Sequence, residues 1–197
     1  MCGIAGLIHR GKSSDVGNEL QLMLQALKHR GPDSTGYALY ADNDGKNFIM
    51  RFKVGENVGE GSTSVNEDDS VYDKRKELVD QMLKNLNATV VKEEKLTPYS
   101  YRYEMKYDQD LMEFSKKIES IESVEILSIG KSLELIKDLG DAQAVSERYD
   151  LAKVKGTHGI GHARMATESG VDIKSAHPFW GYPFSDVSVV HNGQLTN

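Results

Sequence analysis

The chain has 197 residues, with 24 Lys and Arg against 30 Asp and Glu, for a net charge of −6. That length suits one domain of ordinary size carrying a large insertion, and 39% hydrophobic with 27% charged residues excludes wholesale disorder and a fibre. The acidic balance, without any Lys/Arg-rich block, speaks against a nucleic-acid binder; no apolar run approaches the roughly 20 residues that span a bilayer; the single cysteine excludes a disulfide framework and a cysteine-built zinc cluster.

That cysteine is Cys2. The apolar stretch from Cys2 to Ile8 is interrupted by glycine, has no basic segment before it and is ended by His9-Arg10. It is too short for a secretory signal and reads as a strand, and the chain reads as cytoplasmic with no membrane contact. Leu20, Met23, Leu24 and Leu27 recur at helical spacing and predict a helix with one buried stripe. His29-Arg30-Gly31-Pro32-Asp33 ends it with turn chemistry. Tyr37–Tyr40 and Phe48–Phe52 predict two strands, joined as a hairpin across Asp42-Asn43-Asp44-Gly45.

Residues 56–155 differ in character. A Gly/Ser/Asn/acidic linker (56–69) leads to a predicted helix at Lys74–Leu86, strands at Thr89–Lys95 and Tyr99–Tyr107, a helix at Asp110–Ile121, a strand at Ser123–Ile129, and one or two short helices to about Tyr149. The alternation predicts an inserted α/β subdomain over 56–155 within a domain covering 1–197. The last zone, from Gly156, holds His158, His162, His177 and His191 and the only tryptophan, Trp180, with strands predicted at Gly156–Ala163 and Val187–Val190 and a turn at Asn192-Gly193.

Three features carry chemistry. If Met1 is removed, Cys2 presents a thiol and an α-amine on one residue; the amine, with a reference pKa of about 7.7–8.0, can serve as base for its own side chain. The ordinary alternative is a cysteine packed as a small hydrophobe. Arg164, at the end of the Gly161–Arg164 segment, offers a fork for a carboxylate, with the Thr167 hydroxyl nearby; a solvated surface arginine is the plainer reading. Asn192 and the Gly193 N–H can converge on one developing oxyanion, although Asn-Gly also makes an ordinary turn.

Together, Met1-Cys2-Gly3-Ile4-Ala5-Gly6, His29-Arg30-Gly31-Pro32-Asp33-Ser34-Thr35-Gly36, Gly161–Thr167, Ala176-His177-Pro178-Phe179 and His191-Asn192-Gly193 resemble the glutaminase domain of the class II, N-terminal-nucleophile amidotransferases. The run from Gly161 to Ser169, with His191 to Leu195, is most similar to free-standing glutamate-synthase-type amidotransferase subunits. The resemblance implies an α+β fold, a four-layer αββα sandwich, and hydrolysis of the glutamine amide through a Cys2 thioester. It gives Asn192 and Gly193 the oxyanion, Arg164 and Thr167 the substrate carboxylate pocket, and Arg30 a supporting place; His177 and His191 are packing or supporting residues rather than bases. It implies no cofactor and no metal, glutamine as substrate, and a synthase partner that receives ammonia; a homo-oligomer is left open. The family's acidic residue for the substrate amino group, and further strands, would come after Asn197, so the domain reads as truncated at its C-terminus or completed by a partner. A retained Met1 would acylate the Cys2 nitrogen and leave the site inert.

Two rival readings come from the same residues. His158 and His162 have H-x3-H spacing, but on a strand they lie about 13 Å apart, too far for one zinc ion. A ligand-sensing or partner-docking module with a vestigial Cys2 site is the non-enzymatic alternative, and the ammonia could instead serve a sugar-phosphate, purine or asparagine pathway.

Overall fold

The computed structural model describes residues 2–55, 67–165, 173 and 176–193. In chain order the elements are β1 (Gly3–Ile8), α1 (Val16–Ala26), a 3-10 turn (Lys28–Arg30), β2 (Ser34–Ala41), β3 (Phe48–Lys53), α2 (Asp69–Asn85), β4 (Thr89–Thr97), β5 (Ser100–Lys106), α3 (Leu111–Glu119), β6 (Glu125–Gly130), β7 (Leu133–Leu139), α4 (Ala142–Arg148), a second 3-10 turn (Leu151–Lys153), β8 (Gly156–Arg164), β9 (Phe179–Trp180) and β10 (Ser188–Val189). The architecture is α+β, with antiparallel sheets and four α-helices among the described residues. None of these helices is long and apolar enough to cross a membrane. The chain divides into two compact units, one from residues 1–42, 135–179 and 188–197, the other from 43–134 and 180–187.

The first unit is built on a sheet of order β1-β8-β2-β7. β8 runs antiparallel to both neighbours, with Gly3 opposite Ala163, Ile4 opposite His162, Ser34 opposite Arg164 and Gly36 opposite His162. Strand side chains alternate between faces, and the glycines of one face bring α1 close. A Cβ on Gly159 would lie 3.1 Å from the Leu20 side chain, one on Gly161 2.5 Å from Leu24, and one on Gly3 3.1 Å from Leu27. Leu20 and Leu24 are fully buried against this glycine face. On the same face, the Tyr37 hydroxyl donates to the Ala142 carbonyl at the start of α4. The opposite face carries Ile4, His162, Arg164, Ser34 and Gly36.

In the second unit the sheet order is β4-β5-β3-β6. One face, with Met50, Phe52, Tyr101, Tyr103 and Met105, packs with Tyr72, Val79 and Leu83 of α2 and Phe114 and Ile118 of α3 into one apolar core. The other face holds charge: Arg51 and Arg102 stand opposite each other on β3 and β5 and both bind Glu134, at 2.9 Å and 2.8 Å from their Nε atoms. The two guanidinium groups hold this buried carboxyl well below its usual range, at about 2, against the opposing effect of burial. Aspartates cap α2, α3 and α4: Asp68, Asp110 and Asp141 accept from the N–H groups of Ser70, Met112 and Ala144. Asp186 accepts from the backbone N–H groups of Lys131, Ser132 and Leu133 at 2.7–3.0 Å, closing the β6–β7 turn with its carboxylate.

Two sequence expectations are corrected. β2 and β3 do not form a hairpin. β2 has β8 and β7 on its two edges, and β3 has β5 and β6, so neither strand has a free edge for the other. The Asp44-Gly45 turn exists, with Gly45 at φ +69 and the Lys46 N–H on the Asp44 carboxylate, but it connects two sheets. Leu133–Leu139, expected within a helical stretch, is strand β7 and is buried at every position. Its acidic residues are buried and paired: Glu134 holds the two arginines, and Asp138 accepts from the Tyr149 hydroxyl at 2.8 Å.

Candidate active site

Cys2 precedes β1 by one residue and is partly buried. Since Gly3 pairs with Ala163, the register continued by one residue sets Cys2 opposite Arg164, the last residue of β8. On the other side of β8, Ser34 of β2 pairs with Arg164. Strand pairing alone therefore brings position 2 and position 164 to the same end of the sheet.

The loop bearing Arg30 reaches this end because Gly31 has no side chain. A Cβ there would fall 2.5 Å from the Ala163 carbonyl oxygen and from the Arg164 carbonyl carbon. The Asp33 N–H then bonds the Arg164 carbonyl at 3.2 Å, fastening the loop across the end of β8.

The chain returns to the same place with its last described residues. The Asn192 side-chain N–H donates to the Cys2 carbonyl at 3.1 Å. Ahead of it, the Tyr40 and Ser188 hydroxyls bond at 2.9 Å and tie β10 to β2. Gly193 comes next, against the His191 ring: a Cβ on it would lie 2.8 Å from His191 Nε2. His191, Asn192 and Gly193 are all exposed. Asn192 thus uses one N–H on the Cys2 main chain and keeps a second N–H for another acceptor. Of the six candidate residues, Cys2, Arg164, Arg30, Asn192 and Gly193 gather at one end of this sheet; Thr167 lies outside the described residues.

Imidazoles line the same face. The His162 and His177 rings are 5.0 Å apart between centroids, and His177 and His191 6.4 Å. Burial pushes His162 down to about 4, with His177 and Arg164 adding to it. His177 is lowered by burial first, then by His191, Lys137 and Arg164. Both shifts favour the uncharged ring. His158, by contrast, stacks on Tyr40 at 3.9 Å four residues up the strand, as the strand reading of His158 and His162 requires.

Sequence reasoning missed Lys137. It is 2% exposed on β7, and its ammonium lies 5.0 Å from the centre of the Phe179 ring. The signal was the period-two row Leu133, Leu135, Lys137, Leu139, in which the lysine takes an apolar position. Among the described residues no cluster of three His, Cys, Asp or Glu side chains is arranged to hold a metal ion.

No family model matches the chain. Over its full length it is 38% identical to a protein of Methanothermobacter thermautotrophicus that carries the provisional name glutamine amidotransferase, covering 62% of that protein. It is 31% identical, again over its full length, to the glutamine amidotransferase-like protein GlxB of Rhizobium meliloti, covering 60% of it. A shorter match, 34% over 89 residues and 44% of the chain, is to the glutamine–fructose-6-phosphate aminotransferase of M. thermautotrophicus, of which it covers 15%. The chain therefore has glutamine amidotransferase-like homologues and spans about three-fifths of the length of the two full-length matches.

Proposed function

We propose that the chain is the glutamine-hydrolysing part of an amidotransferase, with Cys2 as an N-terminal nucleophile in a sandwich of the N-terminal-nucleophile hydrolase type. Once Met1 is removed, the Cys2 thiol gives its proton to its own α-amine and the sulfur attacks the side-chain amide carbon of glutamine. The carbonyl oxygen becomes an oxyanion, held by the free Asn192 N–H and the Gly193 backbone N–H. The carbon–nitrogen bond breaks as the α-ammonium returns the proton, and ammonia leaves. Water then adds to the thioester, the carbon–sulfur bond breaks, and glutamate departs. Arg164 and Thr167 bind the substrate α-carboxylate, with Arg30 in support.

The observation that carries this reading is the hydrogen bond from Asn192 to Cys2, residues at opposite ends of the sequence. It is supported by the names of the full-length homologues. Ammonia passes to a synthase partner of the glutamate-synthase kind; the identity with the fructose-6-phosphate aminotransferase covers under half of the chain and gives no reason to prefer a sugar phosphate.

The test is ammonia and glutamate release from glutamine by protein whose intact mass establishes loss of Met1. Release that is abolished by Cys2→Ala supports the reading. A Met-free sample without release, or a Cys2→Ala variant as fast as the wild type, would overturn it.

A further inference from the structure

On the sheet face opposite α1, Ile4, His162 and Gly36 stand in one row, with Arg164 and Ser34 in the next. His162 is 2% exposed, and among the described residues neither of its ring nitrogens has a hydrogen-bond partner. A buried polar group left unpaired costs stability, so an apolar ring of similar size would serve the fold better.

What His162 touches is His177. The rings lie 5.0 Å apart at 47°. The His177 main chain crosses Gly36 so closely that a Cβ there would fall 2.0 Å from its carbonyl oxygen. Beyond His177 stands His191, the residue before Asn192. Among the described residues, the charged and titratable groups that bear on this pair are Arg164 on β8, Lys137 on β7 and His191; Cys2 is the titratable group at the end of the same sheet.

We infer that His162 is a positioning residue of the Cys2 site: as an uncharged ring it seats His177, and through His177 it holds the 176–178 turn and the His191-Asn192 segment. A proton on His162 would place an imidazolium among cations. The ring would then repel His177 and Arg164, and the segment that carries Asn192 would lose its seat. This inference rests on the glutaminase reading for its role in catalysis, though not for its structural content.

The experiment compares His162→Phe, which keeps a flat ring without a titrating group, with His162→Ala. At mildly alkaline pH the Phe variant is expected to stay within about threefold of the wild-type rate of ammonia release, and the Ala variant to lose about tenfold or more. The Phe variant should also carry its rate further into acid, by at least about half a pH unit. A Phe variant as slow as Ala, an Ala variant as fast as the wild type, or an unmoved acid limb would each overturn the inference. Where the Ala variant does not fold, the pH profile of the Phe variant decides alone. If the wild type releases no ammonia, the functional reading fails by itself, and the side-chain amide NMR signal of Asn192 judges this one. In the wild type that signal should broaden or shift as pH falls from 6.5 to 4, and in His162→Phe it should persist. A wild-type signal unchanged through that window overturns the inference.

Discussion

Asn192 donates its side-chain N–H to the main-chain carbonyl of Cys2 at 3.1 Å, across 190 positions of sequence. An asparagine in a turn ordinarily bonds its own neighbourhood; this one spends an N–H on the far end of the chain. In doing so it orients the amide so that its second N–H is free beside the thiol-bearing residue.

Asn192→Asp keeps the shape of this group and removes both N–H donors. Ammonia release from glutamine should fall by about a hundredfold or more, the usual loss for one oxyanion donor. Thermal stability should change little, because a single exposed hydrogen bond contributes only about 1 kcal/mol. Parallel rate and melting measurements check both halves, and a large fall in melting temperature would make Asn192 a structural residue instead.

Gly36→Ala places a methyl group against the His177 carbonyl, where the gap is 2.0 Å. A backbone atom cannot move aside as a side chain can, so the variant should lose about 2–3 kcal/mol in urea unfolding. Gly11→Ala is the control. Its Cβ would meet nothing within 4 Å, though its φ of +69 still strains an alanine by about 1 kcal/mol.

Stability should decline as pH falls from 6.5 to about 4, through His162. The unfolded imidazole takes a proton near 6.5, whereas the folded one resists it until about 4. In that window the unfolded state binds more protons, so protonation favours unfolding; below it both states are protonated and the loss is complete. The full effect is at most about 3 kcal/mol. Urea midpoints measured across the window in wild type and His162→Phe test it, since the Phe variant should lose this part of the slope.

Glu134→Gln removes the carboxylate shared by Arg51 and Arg102. Two guanidinium groups on a buried face would then lose their common counter-charge, and the expected loss, read from urea unfolding, is about 3–5 kcal/mol. Replacing Arg51 by Met and Glu134 by Leu together should cost less than the two single changes added, because the partners are removed as a pair. Glu134 also contributes in acid with the usual carboxylate sign. Its stabilisation is present above about 4.5 and is lost as pH falls toward 2.

Much of the fold was legible where one physical signal dominated. The 3.6-residue spacing of Leu20, Met23, Leu24 and Leu27 predicted α1, and the apolar spacing of Phe48–Phe52 predicted β3; both elements stand, but the buried stripe is narrower than expected, since Met23 is exposed. β7 was illegible because Glu134, Lys137 and Asp138 look like the polar side of a helix, and only residues distant in sequence, such as Arg51 and Arg102, make their burial tolerable. The failed hairpin has a related cause. Asp44-Gly45 dictates a turn, yet whether the strands flanking a turn pair with each other depends on which edges are already occupied. At the site, motif order pointed to Cys2, Arg164 and Asn192, but spacing along the chain carried no trace of the His162–His177 contact. That contact depends on a glycine, Gly36, whose only contribution is the absence of a side chain.

The register of β1 on β8 has a consequence for how this protein is made. Gly3 finds its partner, Ala163, only after the residues between them have left the ribosome. Until then the first strand lacks the neighbour it has in the sheet. The end of the sheet that gathers Cys2, Arg164 and Asn192 is therefore assembled only when the segment from Gly156 to Asn192 arrives, and every step that brings it there is a contact between distant parts of the chain.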